Sequence, residues 1–344
     1  MKAAVWTGIN QIEIKEVPTP KAGEGEVLIK VKAAGVCATD VHIMTGAFSH
    51  ATPPHILGHE ICGVIEEVGH CVEGINVGDR IIVNTVISCG KCVWCKSGRN
   101  EMCPNGSEIG FNPHNGGYAE YVVAPQSCIV KIPDTVSFEE GAIMESLVCP
   151  SGSILRYGLE LGSTVFIQGG GPAGIAYIQM AKACGASKVI ASVRGKERID
   201  FAWKFGADVV IDAANEDVYA RVMEETDGLG ARYSIDAAGS VASVEMAVRC
   251  CANGGDVTFY GIPDEKAQIQ FPVVEIVLRQ INLHGACGNY LAWEPFVRMV
   301  EGGRINVKDM VTHRYSLCEL PKAVELIKNR EKNLIKAVIV MEDE

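Results

Sequence analysis

A chain of 344 residues exceeds what one hydrophobic core usually organises, since single cores stop growing near about 250–300 residues, and so it predicts two domains. Hydrophobic residues at 48% and charged residues at 21% give a folded globular balance, which excludes a disordered or fibrous chain. With 31 basic against 42 acidic residues the formal charge is -11, which argues against nucleic acid or an anionic membrane as partner, because both select a basic face.

The opening Met1-Lys2-Ala3-Ala4-Val5-Trp6 leads into a polar, alternating segment without an apolar run of signal-peptide or membrane-span length, so a cytoplasmic protein is expected. From Met1 to about Pro133, short β-branched runs at 27–31, 63–65 and 80–83 separated by turn residues predict a β-rich domain. After about Ser151 the rhythm becomes strand (165–167), helix (173–184), strand (189–191), helix (to Phe205) and strand (209–211). Further strands follow at 233–235, 257–259 and 281–285, an alternation that predicts a parallel sheet wrapped by helices. An apolar run at 271–278 reads as an edge strand suited to subunit pairing or to ordinary core packing. Residues 293–301 and 320–329 read as helices and 336–340 as a strand, and this tail is expected to rejoin the first domain. The predicted fold class is α/β, with 1–150 and 286–344 forming the β-rich domain and 151–285 a Rossmann, doubly wound, dinucleotide-binding domain.

Between the first strand and helix of the second domain, Gly169-Gly170-Gly171-Pro172-Ala173-Gly174 fits G-x-G-x-x-G. Gly169 permits a tight turn, Gly171 lets the backbone approach a pyrophosphate, and Gly174 allows close helix packing, with the helix N-terminus at Ala173 facing the phosphates. The strand before and the helix after raise this pattern above a bare Gly-rich turn. The next strand ends at Ser192-Val193-Arg194, without the acid that an NAD-binding site places there to meet the adenosine ribose. Arg194, with Arg198 one helical turn on, offers positive charge and a planar donor fork instead, which favours NADP(H) over NAD(H). The alternative is that both arginines are solvated surface residues.

Fourteen cysteines in a chain without an export signal point to metal binding and buried thiols, because a reducing compartment disfavours disulfides. Cys89, Cys92, Cys95 and Cys103 follow C-x2-C-x2-C-x7-C, a spacing with which one short loop can wrap a single ion. Four thiolates complete a tetrahedral zinc, so this site is structural; an iron–sulfur cluster is the less favoured occupant. Cys62, Cys71, Cys128, Cys149, Cys184, Cys250, Cys251, Cys287 and Cys318 lack ligand spacing and are expected to pack as small hydrophobes. His50, His55, His70, His114, His284 and His313 have no partner at a diagnostic spacing and are expected to be structural.

Gly58-His59-Glu60-Ile61-Cys62-Gly63 with Val68-Gly69, the segment Gly35-Val36-Cys37-Ala38-Thr39-Asp40, Gly78-Asp79-Arg80, the four-cysteine loop and the Gly-rich turn stand in matching order. Together they resemble the zinc-dependent medium-chain dehydrogenase/reductase superfamily over nearly the whole chain. The resemblance implies a GroES-like β-rich catalytic domain, a Rossmann domain and an active site in the cleft between them. It also implies two zinc ions per chain, and a homo-oligomer, tetramer or dimer. Cys37 and His59 take the places of catalytic zinc ligands. Glu145, in Ile143-Met144-Glu145-Ser146-Leu147, stands where the sorbitol dehydrogenase-like branch uses a carboxylate, with Glu60 another or an exchanging ligand and Cys149 a weaker candidate. Asp40 matches the carboxylate that fixes the tautomer of a ligand histidine. Thr39 would pass on the alcohol proton, with His42 as its outlet to water through the cofactor ribose.

One departure bears on substrate. Sorbitol dehydrogenases carry a Phe-Arg-Tyr segment whose arginine helps hold substrate, and this chain has Cys287-Gly288-Asn289-Tyr290 there. The implied activity is hydride transfer between a secondary alcohol, as a polyol, diol, or cyclic or amino polyol, and NADP(H). An NAD-dependent threonine or amino-alcohol dehydrogenase of the same fold is the alternative enzyme. A zinc- and nucleotide-holding module without catalysis is the alternative from another class.

Overall fold

The computed structural model describes residues 1–49, 51–264, 266–288 and 290–342. His50 and Asn289, both in the expectations above, lie outside the described residues. The chain divides into two compact units: Met1–Val148 with Asn289–Gly303 and Val307–Glu344, and Cys149–Gly288 with Arg304–Asn306.

In the first unit a seven-stranded sheet is organised by strand Glu26–Val36, whose residues are buried along nearly its whole length. It pairs antiparallel with Glu60–Val68, with Tyr121–Pro125 and with Lys336–Val340. Burial on both faces explains why the strand reads as Val, Ile and Ala rather than as a strict apolar–polar alternation. Ile29, Ile43, Leu57, Ile61, Ile65, Ile81 and Tyr118 are almost fully buried in the core around it.

The second unit is a six-stranded parallel sheet in the order Val209–Asp212, Lys188–Val193, Thr164–Gln168, Ala231–Asp236, Cys251–Phe259, Asn282–Gly285. Helices Pro172–Ala183, Lys196–Lys204, Val218–Glu225 and Val241–Cys250 connect the strands, as parallel pairing requires. Within this unit the Gln179 amide brackets Asn306, donating to its carbonyl at 3.3 Å and accepting from its N–H at 2.6 Å.

Two readings are corrected. The run at 271–278 is not a strand: Val273–Arg279 is a helix that follows Pro272, and Val273, Val274, Val277 and Leu278 on it are 65–77% exposed. A proline at a helix start and Glu275 in the first turn outweigh the β-branched composition. None of the fourteen cysteines is in a disulfide, but Cys71, Cys287 and Cys318 are exposed, so small-hydrophobe packing does not describe them. No helix among the described residues is long and apolar enough to cross a membrane.

Candidate active site and metal centres

Strand register delivers one cluster to a single end of the first unit's sheet. Strand Glu26–Val36 stops just before Cys37, and in antiparallel register its Gly35 lies opposite Glu60, the first residue of Glu60–Val68. On the other side Val36 lies opposite Ala337, so Lys336 begins its strand at the same end. Cys37 caps the short helix Ala38–Met44, and this helix carries Thr39, Asp40 and His42.

Asp40 is fully buried and gathers four donors. Oδ1 accepts from Gly58 N–H at 3.3 Å and pairs with His59 Nδ1 at 3.1 Å. Oδ2 accepts from Tyr118 O–H at 2.8 Å and from Cys37 N–H at 3.3 Å. Burial alone would raise this carboxyl; His59, the Tyr118 hydroxyl and the Cys37 amide outweigh it and hold the group below its ordinary value. Burial likewise opposes a charged His59, yet Asp40 and Cys37 raise the ring well above the usual histidine value. With Nδ1–H committed to Asp40, the neutral tautomer of the ring leaves Nε2 as its acceptor, on the side of Cys37.

Glu60 is fully buried, and its Oε1 accepts from Lys336 Nζ at 2.5 Å. Its Oε2 is buried and finds no hydrogen-bond partner. An unsatisfied buried carboxylate oxygen costs enough to require an explanation, and a cation is one. Ligand atoms of Cys37, His59 and Glu60 all lie within 4.8 Å of one another, so that small side-chain movements would bring them onto one ion at the usual bond lengths of about 2.0–2.3 Å. A thiolate, an imidazole and a carboxylate form a donor set suited to zinc.

Glu145, half-buried on helix Phe138–Tyr157, falls outside that group of three. Burial pushes its carboxyl up to about 7; His59 pulls it down, and the like charges of Glu60 and Glu108 add to the rise. The structure thus brings Cys37, His59 and Glu60 together, with Glu145 close enough to sense their charges. Thr39 is half-buried and His42 exposed, three residues apart on one helix. Cys149 clusters with the second unit.

Cys89, Cys92, Cys95 and Cys103 form a second group within the same span. The sulfurs of Cys92 and Cys95 are 3.4 Å apart, Cys92 and Cys103 3.9 Å, and Cys89 and Cys95 4.0 Å. A tetrahedron with metal–sulfur bonds of about 2.3 Å has edges of about 3.8 Å, so the cage fits zinc as it stands. The backbone N–H groups of Lys91 and Cys92 and the Cys103 thiol lower Cys89 to about 6. The Cys95 N–H favours a Cys92 thiolate, but burial and the adjoining sulfurs push it up to about 11. A divalent ion would remove that mutual opposition.

In the second unit Gly169 has φ +113°, and a β-carbon there would meet Ala237 O at 2.8 Å. A β-carbon on Gly174 would lie 1.8 Å from Gly169 O, so both glycines are required by the turn itself. Gly171 differs: nothing lies within 4 Å of where its β-carbon would point, which leaves the cradle before Pro172 and Ala173 open to a phosphate. Arg198 donates to Gly170 O at 3.2 Å and so props the turn, whereas Arg194 is exposed beyond the strand end.

Three residues were given no role at the site by the sequence reading: Tyr118, Gly35 and Lys336. Lys336 left a signal, as the lone cation in the otherwise apolar Leu334-Ile335-Lys336-Ala337-Val338-Ile339-Val340. Of the histidines, His55 pairs with His114 O at 3.2 Å and His114 with Ser107 Oγ at 3.0 Å, while His284 pairs with Asp256 at 2.8 Å and His313 with Thr312 at 3.0 Å. These are structural contacts.

Comparison with known proteins bears on the whole chain. Residues 23–134 match the alcohol dehydrogenase GroES-like domain, and residues 172–302 match the zinc-binding dehydrogenase family. An L-threonine 3-dehydrogenase of Pyrococcus furiosus is 37% identical over 88% of each chain. A sorbitol dehydrogenase of Halalkalibacterium halodurans is 34% identical over 96% of this chain and 97% of that one. A Sinorhizobium meliloti protein solved bound to NADP superposes with a TM-score of 0.90 at 32% identity, covering 98% of both chains. The GroES-like β-rich domain and the Rossmann domain expected from sequence are therefore both present, and the relatives support zinc and a nicotinamide as cofactors. The chain belongs to the zinc-dependent medium-chain dehydrogenase/reductase superfamily, in its sorbitol dehydrogenase-like branch, and is an enzyme of the zinc-dependent alcohol dehydrogenase type.

Proposed function

We propose that this enzyme moves hydride reversibly between a secondary alcohol of the polyol or diol class and NADP(H), giving the ketone. The observation that carries the reading is the meeting of Cys37, His59 and Glu60 around a carboxylate oxygen without a partner. A carboxylate in place of a second thiolate makes a harder, more mobile ligand set, suited to an oxygen-rich substrate that offers two donors. Glu145 stands beside it as a further or exchanging ligand. When bound, zinc supplies a Lewis acid that lowers the pKa of the alcohol oxygen, and the nicotinamide supplies the hydride acceptor.

The chain's own residues do the rest. Asp40 accepts from His59 Nδ1 and so turns Nε2 toward the ligand set. Thr39 Oγ1 takes the alcohol proton, and His42, exposed on the same helix, is the outlet to water. The open Gly171 cradle receives the pyrophosphate, and Arg194 meets the 2′-phosphate of NADP. The Cys89–Cys92–Cys95–Cys103 cage holds the second zinc, which makes two per chain. A homo-oligomer, tetramer or dimer, is supported by the exposed apolar residues of Val273–Arg279 beside the edge strand Asn282–Gly285.

The identity to a threonine dehydrogenase favours a second reading, in which the substrate is L-threonine or another amino alcohol and the cofactor NAD. Initial rates with polyols, diols, secondary alcohols and L-threonine, each with NAD and NADP, separate the two. Turnover of a diol with NADP, abolished by Cys37→Ser, is the expected result. L-threonine turnover with NAD alone would overturn it, and no turnover on any alcohol with full zinc loading would leave only a binding module.

A further inference from the structure

We infer that Lys336, from the last strand of the chain, is a positioning residue of the metal centre. It holds one oxygen of Glu60 so that the other is aimed at the cation. The inference rests on the ligand set proposed above and adds a residue whose place in the sequence gives it no metal-ligand spacing.

Lys336 is 4% exposed, and its ammonium has two acceptors, Glu60 Oε1 at 2.5 Å and Val36 O at 3.3 Å. Both sit next to ligand positions: Val36 precedes Cys37, and Glu60 follows His59. One buried cation therefore ties together the two segments that bring in the ligands. A buried lysine is costly to desolvate and persists only where a charge partner compensates it.

The opposite wall is Gly35. A β-carbon there would come within 1.9 Å of Glu60 Oε2 and 2.9 Å of Glu60 Cβ. Between Lys336 on Oε1 and bare backbone beside Oε2, the carboxylate has one seat, and in that seat Oε2 lacks a partner. Carboxylates that bind metals are themselves held by hydrogen bonds, and losing such a partner costs about tenfold to a hundredfold in metal affinity. Lys336 fits that role by distance, burial and charge.

The test follows zinc release from the holoenzyme to a chromophoric chelator, with the catalytic phase identified as the one lost in Cys37→Ser. Glu60→Gln should speed that phase; an unchanged phase would mean that Glu60 is no ligand, and the site reading itself would fail. Given a faster Glu60→Gln, Lys336→Met should release the catalytic zinc about tenfold to a hundredfold faster than wild type. In the Glu60→Gln background the same change should add nothing further, because the carboxylate it positions is gone. Unchanged release in Lys336→Met, or equal acceleration in both backgrounds, would overturn the inference, the latter marking a general loss of stability. If Lys336→Met does not fold, Lys336→Gln, which keeps a donor for Val36 O, carries the same comparison. The slower phase from the four-cysteine cage should stay unchanged throughout.

Discussion

Gly35 leaves the volume that the Glu60 carboxylate occupies: the two residues face each other across antiparallel strands, and any side chain on Gly35 would overlap Oε2. Gly35→Ala should therefore displace the carboxylate and weaken the catalytic zinc by about tenfold to a hundredfold, while circular dichroism reports an intact fold. Zinc content after dialysis against a graded chelator checks this, and full retention would contradict it.

Asp40 orients His59, so Asp40→Asn should lower metal affinity by a similar factor, about tenfold to a hundredfold, because an amide can present N–H where the ring needs an acceptor. Tyr118→Phe removes one donor to the same carboxylate without touching a ligand. Its expected cost is about 1–3 kcal/mol in unfolding free energy, read by denaturant melts, with a smaller change in zinc content.

Glu145 gives a pH signature in the metal-free protein. Its folded value near 7 lies above the ordinary 4.5, so between these values the folded state binds more protons than the unfolded state. Stability from this group is full below about 4.5 and is lost as pH rises through about 7, by roughly 1–3 kcal/mol. Glu145→Gln should flatten that part of the melting-temperature profile in chelator-treated protein; an unaltered slope would contradict the assignment.

The two arginines of the cofactor turn should separate. Arg194 is exposed beyond the strand end, so Arg194→Ala should lower kcat/KM with NADP by about tenfold to a hundredfold and spare NAD. Arg198 props Gly170 through its carbonyl, so Arg198→Ala should weaken both cofactors together. Steady-state kinetics with each cofactor decides between these patterns.

What sequence revealed were features with local spacing. The four cysteines, the Gly-rich turn between strand and helix, and the pairs Cys37 with Asp40 and His59 with Glu60 all sit within short stretches whose chemistry is readable in order. Long-range register was not readable. Lys336 meets Glu60 across 276 positions of sequence, and Tyr118 reaches Asp40 across 78. Only strand pairing brings them together. The helix Val273–Arg279 was misread because β-branched propensity is weak beside a proline start and solvent on one face. Whether Glu60 or Glu145 faces the ion was open in the sequence; the shared span of Cys37, His59 and Glu60 favours Glu60.

Pairing between strands Glu26–Val36 and Lys336–Val340 has a consequence for biogenesis. A nascent chain on the ribosome emits the cysteine, histidine and glutamate of the centre early, but the strand that closes the sheet edge beside them emerges some 300 residues later. Until then that edge is an open template for other polypeptides, so synthesis halted before the final strand should leave an aggregation-prone product with a half-built centre.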